Sequence, residues 1–284
     1  MFFPKVTILG VGLIGSSVAL AMKKRRLCGH ITGFGRREER LMRAKELGIV
    51  DSFDLDPSRA SLGSDFVLFS MPVGFFPGIA GMIRDSLKEG AVVSDAGSIK
   101  GNIVHEMEKV LSNKTPFVGA HPIAGSEQSG IDAADADLFE KRRCVITPTD
   151  KTDRAALNTL TELWRSLGAE VVIMTPEEHD RVFGAVSHLP HIIAYELMNS
   201  ADELNHSYLA YAGQGFLDTT RIAASSPEVW RDICMGNKEN LIQFLDTFMG
   251  RLERVKGYLA GSDAASLEGE FSKAKTLRDE CGQD

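Results

Sequence analysis

Cysteine is scarce and scattered in this chain: Cys28, Cys144, Cys234 and Cys281 are the four present, and no two form a C-x-x-C pair. That spacing argues against a disulfide framework and a zinc site, and predicts reduced thiols in a cytoplasmic protein. Runs of lysine and arginine are also missing, and the net charge is −7. Neither a nucleic acid nor an anionic membrane surface is therefore an expected partner. No apolar run reaches the ~18 residues of a membrane span. No basic segment followed by an apolar one opens the chain, as a secretion signal would. Internal repeats and low-complexity segments are absent too. What remains is an ordinary globular composition, 43% hydrophobic over 284 residues, enough for a substantial core and about two domains.

The stretch from Val6 to Arg37 organises the rest. Val6-Thr7-Ile8-Leu9 reads as a strand, Gly10-Val11-Gly12-Leu13-Ile14-Gly15 follows at once, and Ser16 to Lys24 reads as a helix. Strand, G-x-G-x-x-G, helix is the context of a dinucleotide-binding fingerprint. Gly10 permits the tight turn, Gly12 lets the backbone approach a pyrophosphate, and Gly15 lets the helix pack on the strand. The unpaired N–H groups of the helix start, at Leu13 and Ile14, then face the phosphates. The second strand, Ile31 to Phe34, ends at Gly35, where an NAD-selective site carries a carboxylate for the ribose 2′-hydroxyl. Arg36 and Arg37 follow, and two guanidinium groups suit a 2′-phosphate. The expectation is NADP over NAD, with NAD possible, against the plainer reading that both arginines are solvated beside Glu38 and Glu39.

Strand and helix alternate onward. Strands are expected at 65–69, 91–94, 117–120, 144–147 and 171–174, and helices at 40–47, 76–87 and 153–167. This alternation predicts an α/β, doubly wound, mostly parallel Rossmann-type sheet over residues 1–174. The turn at Ser70-Met71-Pro72 follows a strand, so Ser70 and Pro72 are expected beside the cofactor. At Thr175-Pro176-Glu177-Glu178 the pattern changes to a helix start. Helices at 177–199, 228–235, 238–259 and 263–280 then predict an all-helical second domain over 175–284. Leu241, Phe244, Leu245, Phe248, Leu252, Val255 and Leu259 recur at helical spacing. This stripe reads equally as a subunit interface or as ordinary core.

Two strand-end loops carry polar groups: Asp95, Ser98 and Lys100 in one, His121, Ser126 and Glu127 in the other. A histidine with a pKa near neutrality suits proton transfer. On the first helix of the second domain, Asp180 and His191 are three turns apart, on one face, with His188 beside His191. No third ligand stands at a convincing spacing, so no metal is expected. Arg221, after Asp218-Thr219-Thr220, is a candidate carboxylate clamp.

These segments together resemble one family. Asp95-Ala96-Gly97-Ser98-Ile99-Lys100, His121-Pro122-Ile123-Ala124-Gly125-Ser126-Glu127, Ser187-His188-Leu189-Pro190-His191 and Asp218-Thr219-Thr220-Arg221-Ile222-Ala223, with the glycine fingerprint, are similar to prephenate/arogenate dehydrogenases. The resemblance implies NAD(P)-dependent oxidative decarboxylation of prephenate or arogenate in tyrosine biosynthesis, and a helical domain that makes a homodimer. It implies His121 as base or hydrogen-bond acceptor for the substrate hydroxyl, and Ser98 positioning that hydroxyl. It also implies Arg221 on the ring carboxylate, with His188 or His191 binding and orienting the substrate. Asp180 and Asp218 would orient these cations, and Ser126 and Glu127 would lie on the substrate side. Gly35 departs from the family's usual acid, and no ACT-type regulatory domain is expected after the helical one. Two other readings stand beside it. A β-hydroxyacid dehydrogenase would use a second-domain lysine, and none lies between Lys151 and Lys238. A non-catalytic cofactor sensor would have lost the proton-transfer group, and His121 is intact.

Overall fold

The computed structural model describes residues 1–111, 115–124 and 130–281. Strand and helix alternate from β1 (Phe3–Leu9) and α1 (Leu13–Lys24) through β2 (Cys28–Phe34), α2 (Glu38–Glu46), β3 (Ser52–Asp54) and α3 (Pro57–Ser61). They continue with β4 (Phe66–Phe69), α4 (Phe76–Ile83), β5 (Val92–Asp95), α5 (Gly101–Val110), β6 (Phe117–Pro122), β7 (Arg143–Thr147), α6 (Arg154–Ser166) and β8 (Glu170–Ile173). The eight strands make one sheet in the order β3-β2-β1-β4-β5-β6-β7-β8. Every neighbouring pair is parallel except β6 and β7, so β7 and β8 run against the other six.

The order reverses between β1 and β4, which opens a crevice at the carboxyl ends of those strands. Both faces of the sheet are covered, and β4 shows why its sequence reads as an unbroken apolar run. Phe66 and Leu68 join the core on one face, and Val67 and Phe69 join the core on the other. All four are buried. Truncating Phe69 to alanine would cost about 3–5 kcal/mol through lost transfer energy and the cavity left behind.

The second half is helical: α7 (Pro176–Phe183), α8 (Leu189–Leu204), α9 (Gln214–Thr220), α10 (Pro227–Gly236), α11 (Lys238–Ala260) and α12 (Ala264–Glu280). The Thr175 hydroxyl accepts the Glu178 N–H at 3.1 Å, so the expected α7 start is in place. Ile233 of α10 is buried in the same apolar cluster as Phe69 and Phe76, which ties the helical part to the sheet. Among the described residues, no helix is long and apolar enough to cross a membrane.

Several elements differ from the sequence expectation. The single helix expected over 177–199 is broken by a π-helical stretch, Gly184–His188, between α7 and α8. Pro190 has no N–H to give back, and its ring crowds the preceding turn; the wider turn relieves both. The straight-helix spacing of Asp180 and His191 therefore does not hold across this stretch. β3 is three residues long, too short to show a period. α5 escapes sequence reading because no side chain of its own caps its start.

Candidate active site

Gly10 has φ +102°, and a Cβ there would sit 2.7 Å from the Ser70–Met71 backbone. A Cβ on Gly15 would meet the Gly10 carbonyl at 2.4 Å and the Ile8 side chain at 2.8 Å, so strand, turn and helix approach as closely as glycine allows. Gly12 faces open space, and no side chain caps α1. Among the described residues, the N–H groups of Leu13 and Ile14 are thus free donors at a positive helix end, the requirement for a pyrophosphate. The Ser70 hydroxyl does not point outward. It donates to the Gly10 carbonyl at 2.8 Å and braces the turn.

Beyond the turn lies a cavity of about 350 Å³, whose lining includes Gly35, Arg36, Arg37, Arg40, Pro72 and Phe75. The Arg36 guanidinium lies 4.9 Å above the Phe75 ring centre, a cation–π contact. Among the described residues, none of Arg36, Arg37 and Arg40 is ion-paired with a carboxylate. Glu38 and Glu39 are therefore not their partners.

The strand-end loops meet the helical domain beside this crevice. Asp95 ends β5, and its carboxylate takes the Ala120 N–H at 3.0 Å and the Gly97 N–H at 2.8 Å. Lys100 closes on the same carboxylate with neither side chain exposed. These two groups are an internal strut rather than a face toward the cofactor. His121 is the fifth residue of β6. Its Nδ1 lies 2.8 Å from Nε2 of His179, and His179 Nδ1 lies 2.8 Å from the Asp180 carboxylate. Asp180 in turn accepts the N–H groups of Lys100 and Gly101 at 2.7 and 2.8 Å.

Burial pushes the His121 pKa well below its ordinary value, with His179, Lys100 and His188 adding to the effect. This corrects the expectation of a near-neutral pKa: His121 is held as the neutral imidazole, the form that accepts a proton. His188 is buried, and desolvation brings its pKa down to about 4. Asn237 donates to its Nδ1 at 3.1 Å, and it also hydrogen-bonds the Ser98 backbone. It is a wall residue that holds the Ser98 loop. His191 Nδ1 meets the Ser187 carbonyl at 2.9 Å, and its ring stacks on Trp230 with centres 3.5 Å apart. Burial lowers its pKa, and the nearby Arg221 charge adds to this.

Of the residues singled out by sequence, His121, Ser98, His188, His191 and Asp180 come together, with Arg221 at the edge. Asp218 does not join them; its carboxylate accepts from Gln214 at 2.7 Å on the surface. Ser126 and Glu127 lie outside the described residues. His179, Asn237 and Trp230 were missed, as was Arg40. The only sequence signal for His179 was its place beside Asp180. Among the described residues, no three His, Cys, Asp or Glu side chains gather as a metal site.

A glycine-turn nucleotide crevice and a neutral histidine at a strand end, roofed by a helical domain, define a two-domain dehydrogenase. Residues 18–174 match the nucleotide-binding domain of prephenate dehydrogenase, and residues 175–273 match its dimerization domain. The chain belongs to the prephenate dehydrogenase family and is an oxidoreductase. It is 35% identical to prephenate dehydrogenase of Bacillus subtilis (strain 168) over 282 residues, 96% of this chain and 75% of that protein. It is 32% identical to cyclohexadienyl dehydrogenase of Zymomonas mobilis, covering 97% of this chain and 95% of that one. The crystal structure of A. aeolicus prephenate dehydrogenase with hydroxyphenyl propionate and NAD+ superposes with a TM-score of 0.94 at 36% identity, covering 99% of both chains.

Proposed function

We propose that the chain oxidatively decarboxylates prephenate, or its amino counterpart arogenate, on the route to tyrosine, with a nicotinamide dinucleotide lying along the glycine turn. The observation that carries the residue roles is the partly buried, neutral His121 at the end of β6, beside the Ser98 loop. A bound nicotinamide would supply the acceptor for the hydride on the carbon bearing the substrate hydroxyl. His121 accepts the hydroxyl proton as that carbon becomes electron-poor. The electron pair of the bond to the ring carboxylate passes into the ring, and carbon dioxide leaves. The ring becomes a phenol, and His121 returns the proton to its oxygen, so none is released overall.

Ser98 positions the same hydroxyl, and Arg221 holds the ring carboxylate as a charge-assisted partner. His191, flat against Trp230, gives the substrate a rigid wall. His188 acts through Ser98. Asp180 acts through His179 rather than on a cation. The free amides of Leu13 and Ile14 would hold the phosphates, with Gly12, whose own N–H is bonded to the Gly10 carbonyl at 3.0 Å, leaving room for their approach, and the missing acid at Gly35 favours NADP.

We place the domain boundary at Met174 and a homodimer contact on 175–284. α11 is the support for that contact: of its apolar stripe only Leu241 is buried, while Leu252 and Leu259 are more than half exposed. Initial rates of nicotinamide reduction with prephenate, arogenate and a panel of hydroxyacids test the activity. His121→Asn tests the residue: turnover should fall by roughly 10² or more, the scale of a lost general base, with cofactor binding retained. Wild-type turnover in that variant would remove His121 from the reaction.

A further inference from the structure

We propose that His179 is a positioning residue that fixes the tautomer of His121, a step that rests on His121 being the acceptor for the substrate hydroxyl. The argument starts at Asp180. An ionised carboxylate can only accept, so the nitrogen 2.8 Å from it, Nδ1 of His179, carries a hydrogen. His179 is fully buried, and desolvation lowers its pKa, so the ring is neutral and holds one hydrogen. Its Nε2 is therefore a lone pair. That lone pair lies 2.8 Å from Nδ1 of His121, which must donate to it. The hydrogen of His121 is thereby assigned to Nδ1, and Nε2 is left as the accepting nitrogen.

An unconstrained imidazole prefers its hydrogen on Nε2, which here is the wrong form. The chain Asp180–His179–His121 reverses that preference. It does so without placing a carboxylate against His121. A direct carboxylate contact would raise the pKa of His121 and favour a ring already protonated before substrate arrives. With a neutral ring in between, orientation is transmitted while the base stays neutral. Phe183 lies against both rings, 5.1 Å from His121 and 4.6 Å from His179 between centres, and holds their planes. Asp180 is itself fixed by two backbone amides of the other domain, so the tautomer depends on how the domains dock.

The test is the side-chain ¹⁵N spectrum of the full-length protein without substrate, assigned with His121→Asn. Wild type should show His121 with a protonated Nδ1 and a lone-pair Nε2. His179→Ala should shift His121 toward the Nε2-protonated form. It should also cut kcat by roughly tenfold or more, as misorienting a catalytic histidine does. KM should stay within about twofold, since no substrate contact is removed. His179→Gln supplies an acceptor oxygen and should restore the Nδ1-protonated form with part of the turnover; it also serves if the alanine variant does not fold. Wild-type His121 protonated on Nε2 would overturn the proposal. So would a folded His179→Ala with unchanged kcat, or a His179→Gln that keeps the tautomer yet stays as slow as alanine. The spectrum needs no substrate, so it reads the tautomer even if His121→Asn proves fully active.

Discussion

Asp180 of the second domain caps a helix of the first: its carboxylate accepts the N–H groups of Lys100 and Gly101, the start of α5. Lys100, at the N-cap of α5, makes no side-chain cap of its own. A helix start leaves orphan donors and a positive dipole end, and a buried carboxylate meets both. The Asn237 side chain then binds the Asp180 carbonyl at 2.7 Å and carries the connection to α11. The docking of the two domains and the orientation of the proposed base therefore share one residue.

Replacing Asp180 by alanine should lower the unfolding free energy by about 2–4 kcal/mol, since buried amides lose charge-assisted partners. Asp180→Asn keeps an acceptor and should lose less. Urea midpoints of the two variants check the order. An alanine variant as stable as wild type would show that the cap is not a structural link.

A second prediction concerns pH. In the proposed reaction His121 acts as the neutral ring, and desolvation holds its pKa well below 6.5. The acid limb of kcat/KM should therefore lie below the ordinary histidine range. Stability follows the same groups. Unfolded His188 takes up a proton as pH falls below 6.5, whereas the folded ring does so only near 4. Its contribution is intact above about pH 6.5 and is lost progressively toward pH 4, by roughly 3 kcal/mol. Denaturant midpoints measured across that window should fall. Equal stability at its two ends would contradict the buried neutral state.

The glycine turn was legible because its chemistry is local. Strand, turn and helix occupy consecutive residues, and Gly10 and Gly15 answer contacts within that unit or with the Ser70–Met71 turn. His121 and Ser98 were legible because one ends a strand and the other lies in the loop just after one, in a sheet whose direction there was readable. His179 was not, since its meaning lies in a partner 58 residues away. The reversal at β7 was hidden for the same reason: strand direction depends on which neighbour pairs, not on period. The π-helical turn has Pro190 as its sequence signal, and one proline does not fix how the helix winds before it. Arg40 passed as an ordinary helix residue because only the fold turns it into the crevice.

Arg221→Ala should weaken substrate binding more than turnover. The motive is its charge reaching His191 at the edge of the Trp230 wall. A carboxylate deprived of its charge-assisted partner loses about 2 kcal/mol or more, roughly thirtyfold in KM. Steady-state kinetics with either substrate read this directly. Unchanged KM and kcat together would move the carboxylate elsewhere.

The last prediction is the choice of cofactor. Gly35 supplies no carboxylate, and its nearest side-chain neighbour is Leu41. A ribose 2′-hydroxyl therefore loses its usual acceptor, and a 2′-phosphate meets no repulsion there. Arg36, Arg37 and Arg40 line the same crevice. They divide the work by their contacts. Arg36 is held over Phe75, a flat surface on which an adenine can stack, so Arg36→Ala should weaken both cofactors. Arg37 and Arg40 carry no such contact, and their replacement should cost NADP more than NAD. All three are exposed, and solvent screens exposed pairs, so each substitution should cost roughly fivefold or less. The same screening gives an independent reading: the advantage of NADP should shrink as salt is added, while NAD affinity changes little. NADP should then serve at least as well as NAD at low ionic strength. Titrating both cofactors at saturating substrate, at two salt concentrations, decides it. An enzyme that strongly prefers NAD, with Arg37→Ala and Arg40→Ala indifferent to NADP, would show these arginines to be solvated charges only.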